Sequence, residues 1–108
     1  MALQLSYTDN FGSTNASAYH RVVVCDIDWA SKHAKVIVFV YKDAAARSAG
    51  KEPLIRKTYN LHETEVNDMP TFDSVFANSE LNPVDKNPLA NAYTFIKALD
   101  EYSGASDV

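Results

Sequence analysis

A single cysteine, Cys25, stands in the whole chain. No internal disulfide can form, so the fold has to rest on its core. Clustered positive charge is missing too. Ten basic residues are spread among fourteen acidic ones, for a net charge of -4. A dense basic patch is the usual electrostatic footprint of a nucleic-acid binder, and without one no nucleic-acid partner is expected. The longest apolar run, Val36 to Tyr41, falls far short of the roughly 20 residues that span a bilayer, so no membrane partner is expected either. The start, "MALQLSYTDN", lacks the charged head and apolar centre of a secretion signal. Synthesis in the cytosol is the resulting expectation.

What is present is enough for a real core. Of 108 residues, 46% are apolar and 11% aromatic, a composition that folds rather than stays disordered. A chain of this length buries roughly two-thirds of its unfolded surface. One domain, 1–108, is expected, with a polar loop at 9–18 and a flexible C-terminal tail at 103–108.

Leu3, Leu5 and Tyr7 alternate with polar residues, the period of a half-buried strand. "DNFGSTNAS" is rich in turn formers and reads as a loop. Tyr19 to Trp29 makes the next strand. The face with Tyr19, Arg21, Val23, Cys25, Ile27 and Trp29 is the better core candidate, which turns Asp26 and Asp28 outward. After "ASKHA", the strand Ala34 to Lys42 is apolar on both faces, as a central strand covered on each side would be. The short connection predicts an antiparallel hairpin. "KDAAARSAGKEP" offers a helical turn stopped by Gly50 and Pro53. In the strand from Leu54 to His62, Ile55, Tyr59 and Leu61 share one face with Lys57.

Two helical segments follow. Phe72, Val75 and Phe76 form a narrow stripe, with Asp68 a candidate cap near Pro70. The second segment has Asn87 as N-cap, Pro88 at the first helical position and Gly104 past its end. Leu89, Ala92, Tyr93, Ile96 and Leu99 fall on one face. The predicted fold is α+β: a small antiparallel sheet of three to four strands, packed against a C-terminal helix and a shorter helical segment. Trp29, Ile37, Phe39, Tyr59, Tyr93 and Ile96 are expected in the core.

Chemistry is sparse. His20, His33 and His62 form no HxH or HxxxH pair. Cys25 alternates with Val23 and Ile27, as a small buried residue does. No serine sits in a nucleophile elbow. "AGKEP" lacks the first glycine and the final Ser/Thr of a phosphate-binding loop. The sharpest signal is Asp26 and Asp28, at i and i+2. "CDIDWASKHAKVIVFVY" is similar in spacing to the opening of RNase H-like nucleases and transposases, where a first-strand Asp holds a divalent metal. That chemistry needs further carboxylates from later elements. Glu63, Glu65 and Asp68 lie in an expected loop with no such pattern around them. No catalytic, cofactor-binding or metal site is therefore assigned, and no cofactor is expected.

The organisation of the chain carries a second resemblance. "AYHR" before a hairpin, "VYKDAAARSAGKEP" between strands and "AYTFIKAL" in a last helix resemble a group of small proteins encoded in the structural gene modules of tailed bacteriophages. That resemblance implies a non-enzymatic virion structural protein, a tail/baseplate, connector or decoration component, located in the virion after assembly in the host cytoplasm. Its partners would be other phage structural proteins and copies of itself. "SYTDNFGSTNAS" and "EYSGASDV" would act as arms that order on contact. The alternatives are a small host-directed phage binding or inhibitor protein and a nuclease or transposase fragment using Asp26 and Asp28.

Overall fold

The computed structural model describes residues 2–66, 69–77, 80 and 87–108. In chain order the elements are β1 (Leu3–Gln4), β2 (Tyr7–Thr8), β3 (Thr14–Asn15), β4 (Tyr19–Asp28), β5 (His33–Tyr41), α1 (Ala44–Ser48), β6 (Ile55–Leu61), α2 (Phe72–Phe76) and α3 (Pro88–Lys97). A 3-10 turn, Asp100–Tyr102, and β7 (Ser106–Asp107) close the chain. The α+β class is the expected one, but the sheet is larger than the three to four strands predicted. It has five strands in the order β6-β5-β4-β1-β7, and β2 and β3 form a separate two-stranded sheet.

Both chain ends contribute to the extra width. β1 pairs with β4 on one side and β7 on the other, Leu3 facing His20 and Asp107. The Val108 N–H donates to the Ala2 carbonyl at 3.0 Å. Within 103–108, expected as a flexible tail, Ser106–Asp107 thus supply an edge strand. Within the expected loop at 9–18, residues 9–13 form a hairpin tip and Thr14–Asn15 form β3. Asp9 Oδ1 accepts from the N–H groups of Phe11 and Ser13, each at 2.9 Å, and Tyr7 pairs with Asn15. Ala2, Leu3 and Ala18, which flank this hairpin, are fully buried, whereas residues 6–17 are exposed or half-buried.

β4 and β5 form the predicted hairpin. Asp28 closes its turn, its Oδ1 accepting from Ala30 N–H at 3.0 Å and Ser31 N–H at 3.2 Å, while Lys32 takes the left-handed conformation, φ 53°. The register shifts once, between Val22 and Val24, leaving Val23 as the extra residue of a β-bulge. A bulge moves all that follows by one residue and so exchanges the two faces. Before it, His20 and Val22 lie opposite Val40 and Val38 on the core side. After it, Cys25 and Ile27 lie opposite Val36 and Ala34 on that same side. The predicted core face of this strand is therefore correct only beyond Val24. Tyr19, Arg21 and Val23 lie outside the core.

The covered face of β5 is Ala34, Val36, Val38 and Val40; Ile37 and Phe39, expected in the core, are half-exposed. α2 and α3 cover the valine side, adding Phe72, Phe76, Ala92, Tyr93, Phe95 and Ile96. Trp29 also departs from expectation. It is 48% exposed because it stands in the turn after β4, held at one edge by its Nε1–H donating to the Phe76 carbonyl at 2.9 Å. Tyr59, Tyr93 and Ile96 are buried as expected.

The predicted cap of the last helix, Asn87, is in place, and Asp43, not singled out in the sequence, caps α1. The Asp43 and Asn87 side chains accept from Ala46 N–H and Ala90 N–H, both at 2.7 Å. α3 ends at Lys97, one 3-10 turn before Gly104, whose φ of 85° suits a residue without a Cβ. Its buried face is rotated from the predicted stripe: Asn91 and Phe95 are inside, and Leu89 is 45% exposed. Asp68 lies outside the described residues; the N-cap position of α2 is Thr71, which makes no side-chain capping bond.

Candidate assembly surface

With α2 and α3 on one side, no helix of the core lies on the other face of β4, β5 and β6 among the described residues. Cross-strand register sorts its side chains into rows. Tyr19 lies opposite Tyr41. Arg21, Phe39 and Arg56 form the second row, and Val24, Ile37 and Thr58 the third. Asp26, Lys35 and Asn60 form the fourth, and Asp28 with His33 the fifth. Side-chain contacts confirm the shared face. The Arg56 guanidinium sits 4.9 Å from the Phe39 ring centroid. The Tyr41 ring lies 6.4 Å from both Tyr19 and Phe39. Ile37, Phe39 and Tyr41 are half-exposed and Val23 is 36% exposed, so the centre of the face is apolar and open to solvent. Contiguous patches of this kind mark interaction sites more often than single exposed apolar residues do.

Asp26 and Asp28 lie at one end of this face, with His33 and Lys35 around a shallow hollow of about 300 Å³. Both are exposed, as the sequence indicated. Asp28 is engaged by the turn N–H groups, and bonds from Ser31, then Ala30, hold its carboxyl below the usual carboxylate range. Asp26 lies 3.9 Å from the Lys35 ammonium. Among the described residues, no three His, Cys, Asp or Glu side chains gather where a metal ion would fit. The job visible for Asp28 is closing the hairpin.

On the covered side, a polar cluster joins distant parts of the chain. His20 is 1% exposed. Its Nε2 lies 2.9 Å from the Leu5 carbonyl and its Nδ1 2.9 Å from the Tyr102 hydroxyl. Nε2 must carry the hydrogen, since a carbonyl only accepts, and a neutral ring then accepts from the Tyr102 O–H at Nδ1. Burial, the largest cause, lowers the His20 pKa. Nearby, the Tyr59 hydroxyl donates to Glu101 at 2.6 Å. Lys57 lies 3.5 Å from Glu101 and 5.0 Å from the Tyr102 ring centroid. Burial raises the pKa of both tyrosines above the ordinary phenol value. A general acid or base works best with a pKa near the operating pH, and these shifts move all three groups away from it. The cluster ties the N-terminal segment, β6 and the C-terminal turn together. Cys25 is half-buried, with its thiol pushed up to about 11, mainly by burial, so it is a poor nucleophile at neutral pH.

A groove of about 460 Å³ lies between α2 and α3, bordered by Val75, Asn91, Phe95 and Leu99. Asn91 donates to the Val75 and Glu80 carbonyls at 2.9 and 3.1 Å, while its Oδ1 is buried without a partner among the described residues. The amide therefore links the two helical segments. No helix among the described residues is long and apolar enough to cross a membrane.

Sequence reasoning did not find the open face as a site. Its rows join residues from three strands, and the Arg21–Phe39–Arg56 row exists only through the bulge register. Comparison with protein-family models, curated proteins and solved structures finds no match.

Proposed function

We propose that the protein is a non-enzymatic structural component of a tailed-phage particle, acting by assembly with other particle proteins and with copies of itself. The observation that carries this reading is the sheet face turned away from α2 and α3, whose apolar centre is half-buried although the same strands are tightly covered on their other side. A domain of this size gains stability by burying such a face, and repeated packing in a symmetric assembly is one way to do so. The hairpin tip supports the same reading. Phe11 is 94% exposed at the end of a loop fixed by Asp9, so the loop holds an aromatic ring ready for contact at little ordering cost.

Quantitative mass spectrometry of purified particles tests the proposal. The expected result is several copies per particle, in a ratio that suits ring or shell symmetry. Absence from particles, together with stoichiometric capture of a host protein from extract, would replace it with the host-directed binding role. Phe11→Ser is expected to lower incorporation without changing the melting temperature of the isolated domain.

A further inference from the structure

The charges on the open face are arranged so that the face complements itself. The Val24–Ile37–Thr58 row is its midline. Two residues along β5 in one direction lie Phe39 and the arginines Arg21 and Arg56; two residues in the other lie Lys35 and Asp26. At about 3.3 Å per residue, these flanking rows stand roughly 7 Å on either side of the midline. The bulge at Val23 produces the match, because without the extra residue Arg21 would not share a face with Asp26.

We infer that the open face is a homodimer interface: a second copy packs on it face to face, about a two-fold axis that crosses the strands along the Val24–Ile37–Thr58 row. This rests on the assembly reading proposed above and names the first contact in it. The operation lays each strand over its own copy, antiparallel. Ile37 then meets Ile37 of the partner in the centre. Arg21 faces the partner's Asp26, and the Phe39 ring faces the partner's Lys35, each contact occurring twice.

The charges select this axis over the other face-to-face two-fold, which runs along β5. That axis lays β4 over β6 of the partner, placing Arg21 against the partner's Arg56 and Lys35 against its own copy. Like charges held together across an interface oppose it. Packed sheets cross at about 30°, which displaces rows 7 Å from the axis by roughly 3.5 Å, within the reach of an arginine side chain. Asp26 and Asp28 share this face, and the whole chain is acidic, so the same surface is a poor fit for a nucleic-acid strand.

A three-stranded face about 30 Å long and 14 Å wide buries on the order of 1,000 Å² in total, near the lower limit for a specific interface. The dimer should therefore be concentration-dependent in solution and strengthened by multivalency inside a particle.

Sedimentation equilibrium of the full chain over a concentration series is the test, with circular dichroism melts to show that each variant is folded. Arg21→Asp alone and Asp26→Lys alone should each weaken dimerisation at least about tenfold. Mixing the two variants should restore it, because both cross-interface pairs are then of opposite sign. Placing both substitutions in one chain should restore it as well. Stronger dimerisation of Arg21→Asp alone would overturn the inference in favour of the strand-parallel axis. A wild-type monomer at all concentrations would overturn it too. In that case several copies per particle would still uphold the assembly reading through other contacts. Binding of a single-stranded oligonucleotide, lost on Arg21→Asp, by a chain that stays monomeric would also overturn it.

Discussion

Val36, Val38 and Val40 lie fully buried beneath the helices, while Ile37 and Phe39, which alternate with them on β5, stand half-exposed. The larger side chains are on the open side. Burial of apolar area contributes roughly 25 cal/mol per Å², so folding of the single chain leaves part of the apolar surface of β5 unused. The close packing of short helices on the sheet accounts for valine on the covered side, where branched side chains of even size let α2 and α3 approach. The open side has no such constraint and carries aromatics, arginines and carboxylates together. The covered face is thus specified by fit within one chain, and the open face is free of that requirement.

The strongest way to break this distinction is to delete Val23. Removing the bulge would turn Tyr19–Val22 over by one residue, taking His20 and Val22 out of the core and pushing Tyr19 and Arg21 into it. The expected loss exceeds about 4 kcal/mol, in the range that follows from burying an unpaired charge, and a chemical denaturation curve would measure it. If the deletion variant stays within about 1 kcal/mol of the parent, the bulge does not set the faces.

Truncation on each side compares them directly. Ile96 is fully buried on α3, and Ile96→Ala should cost roughly 2–5 kcal/mol with any dimerisation constant unchanged. Ile37→Ala on the open face should cost about 1 kcal/mol or less in the monomer and act mainly on self-association. Equal losses of monomer stability at the two sites would remove the contrast.

The interpretable part of the sequence was local. Asn87 with Pro88 marks a helix start because a cap acts within one turn. The alternation in β5 marked a central strand, but both of its faces are apolar, so the pattern could not say which one the helices cover. Val22, Val23 and Val24 are identical, and nothing in a run of three valines marks the middle one as a bulge. β7 is Ser106–Asp107, two polar residues whose role depends on β1, more than 100 positions earlier in the chain. The His20–Tyr102 bond joins residues 82 apart. The open face had the same difficulty: Arg21, Phe39 and Arg56 become neighbours only once the register is fixed.

His20 gives a pH-dependent probe of the covered side. Burial lowers its pKa in the folded state, opposed by the Leu5 carbonyl and by Glu101, and assisted by Lys57. The unfolded chain therefore binds the proton more readily than the folded one. Stability is full above the unfolded value of about 6.5 and is lost as pH falls below it. Denaturation midpoints should drop between pH 7 and pH 5 in the parent and drop less in His20→Gln, which does not titrate. A parallel fall in both would assign the effect to other groups.

Asp26 should show the smallest effect on stability and the clearest separation of the two faces. It is exposed, its contact with the Lys35 ammonium is 3.9 Å long, and a surface ion pair of that kind contributes little. Asp26→Asn should change unfolding free energy by less than about 0.5 kcal/mol. It should still weaken dimerisation, because it removes a negative charge facing Arg21 of the second copy, and the loss should be smaller than for Asp26→Lys, which adds repulsion. The same variant tests the metal reading of "CDID". With Mg²⁺ or Mn²⁺ present, neither the parent nor Asp26→Asn should cleave DNA or RNA, since no three acidic, histidine or cysteine side chains converge there among the described residues. Nuclease activity in a clean preparation, abolished by Asp26→Asn, would turn the open face from an assembly surface into a catalytic one.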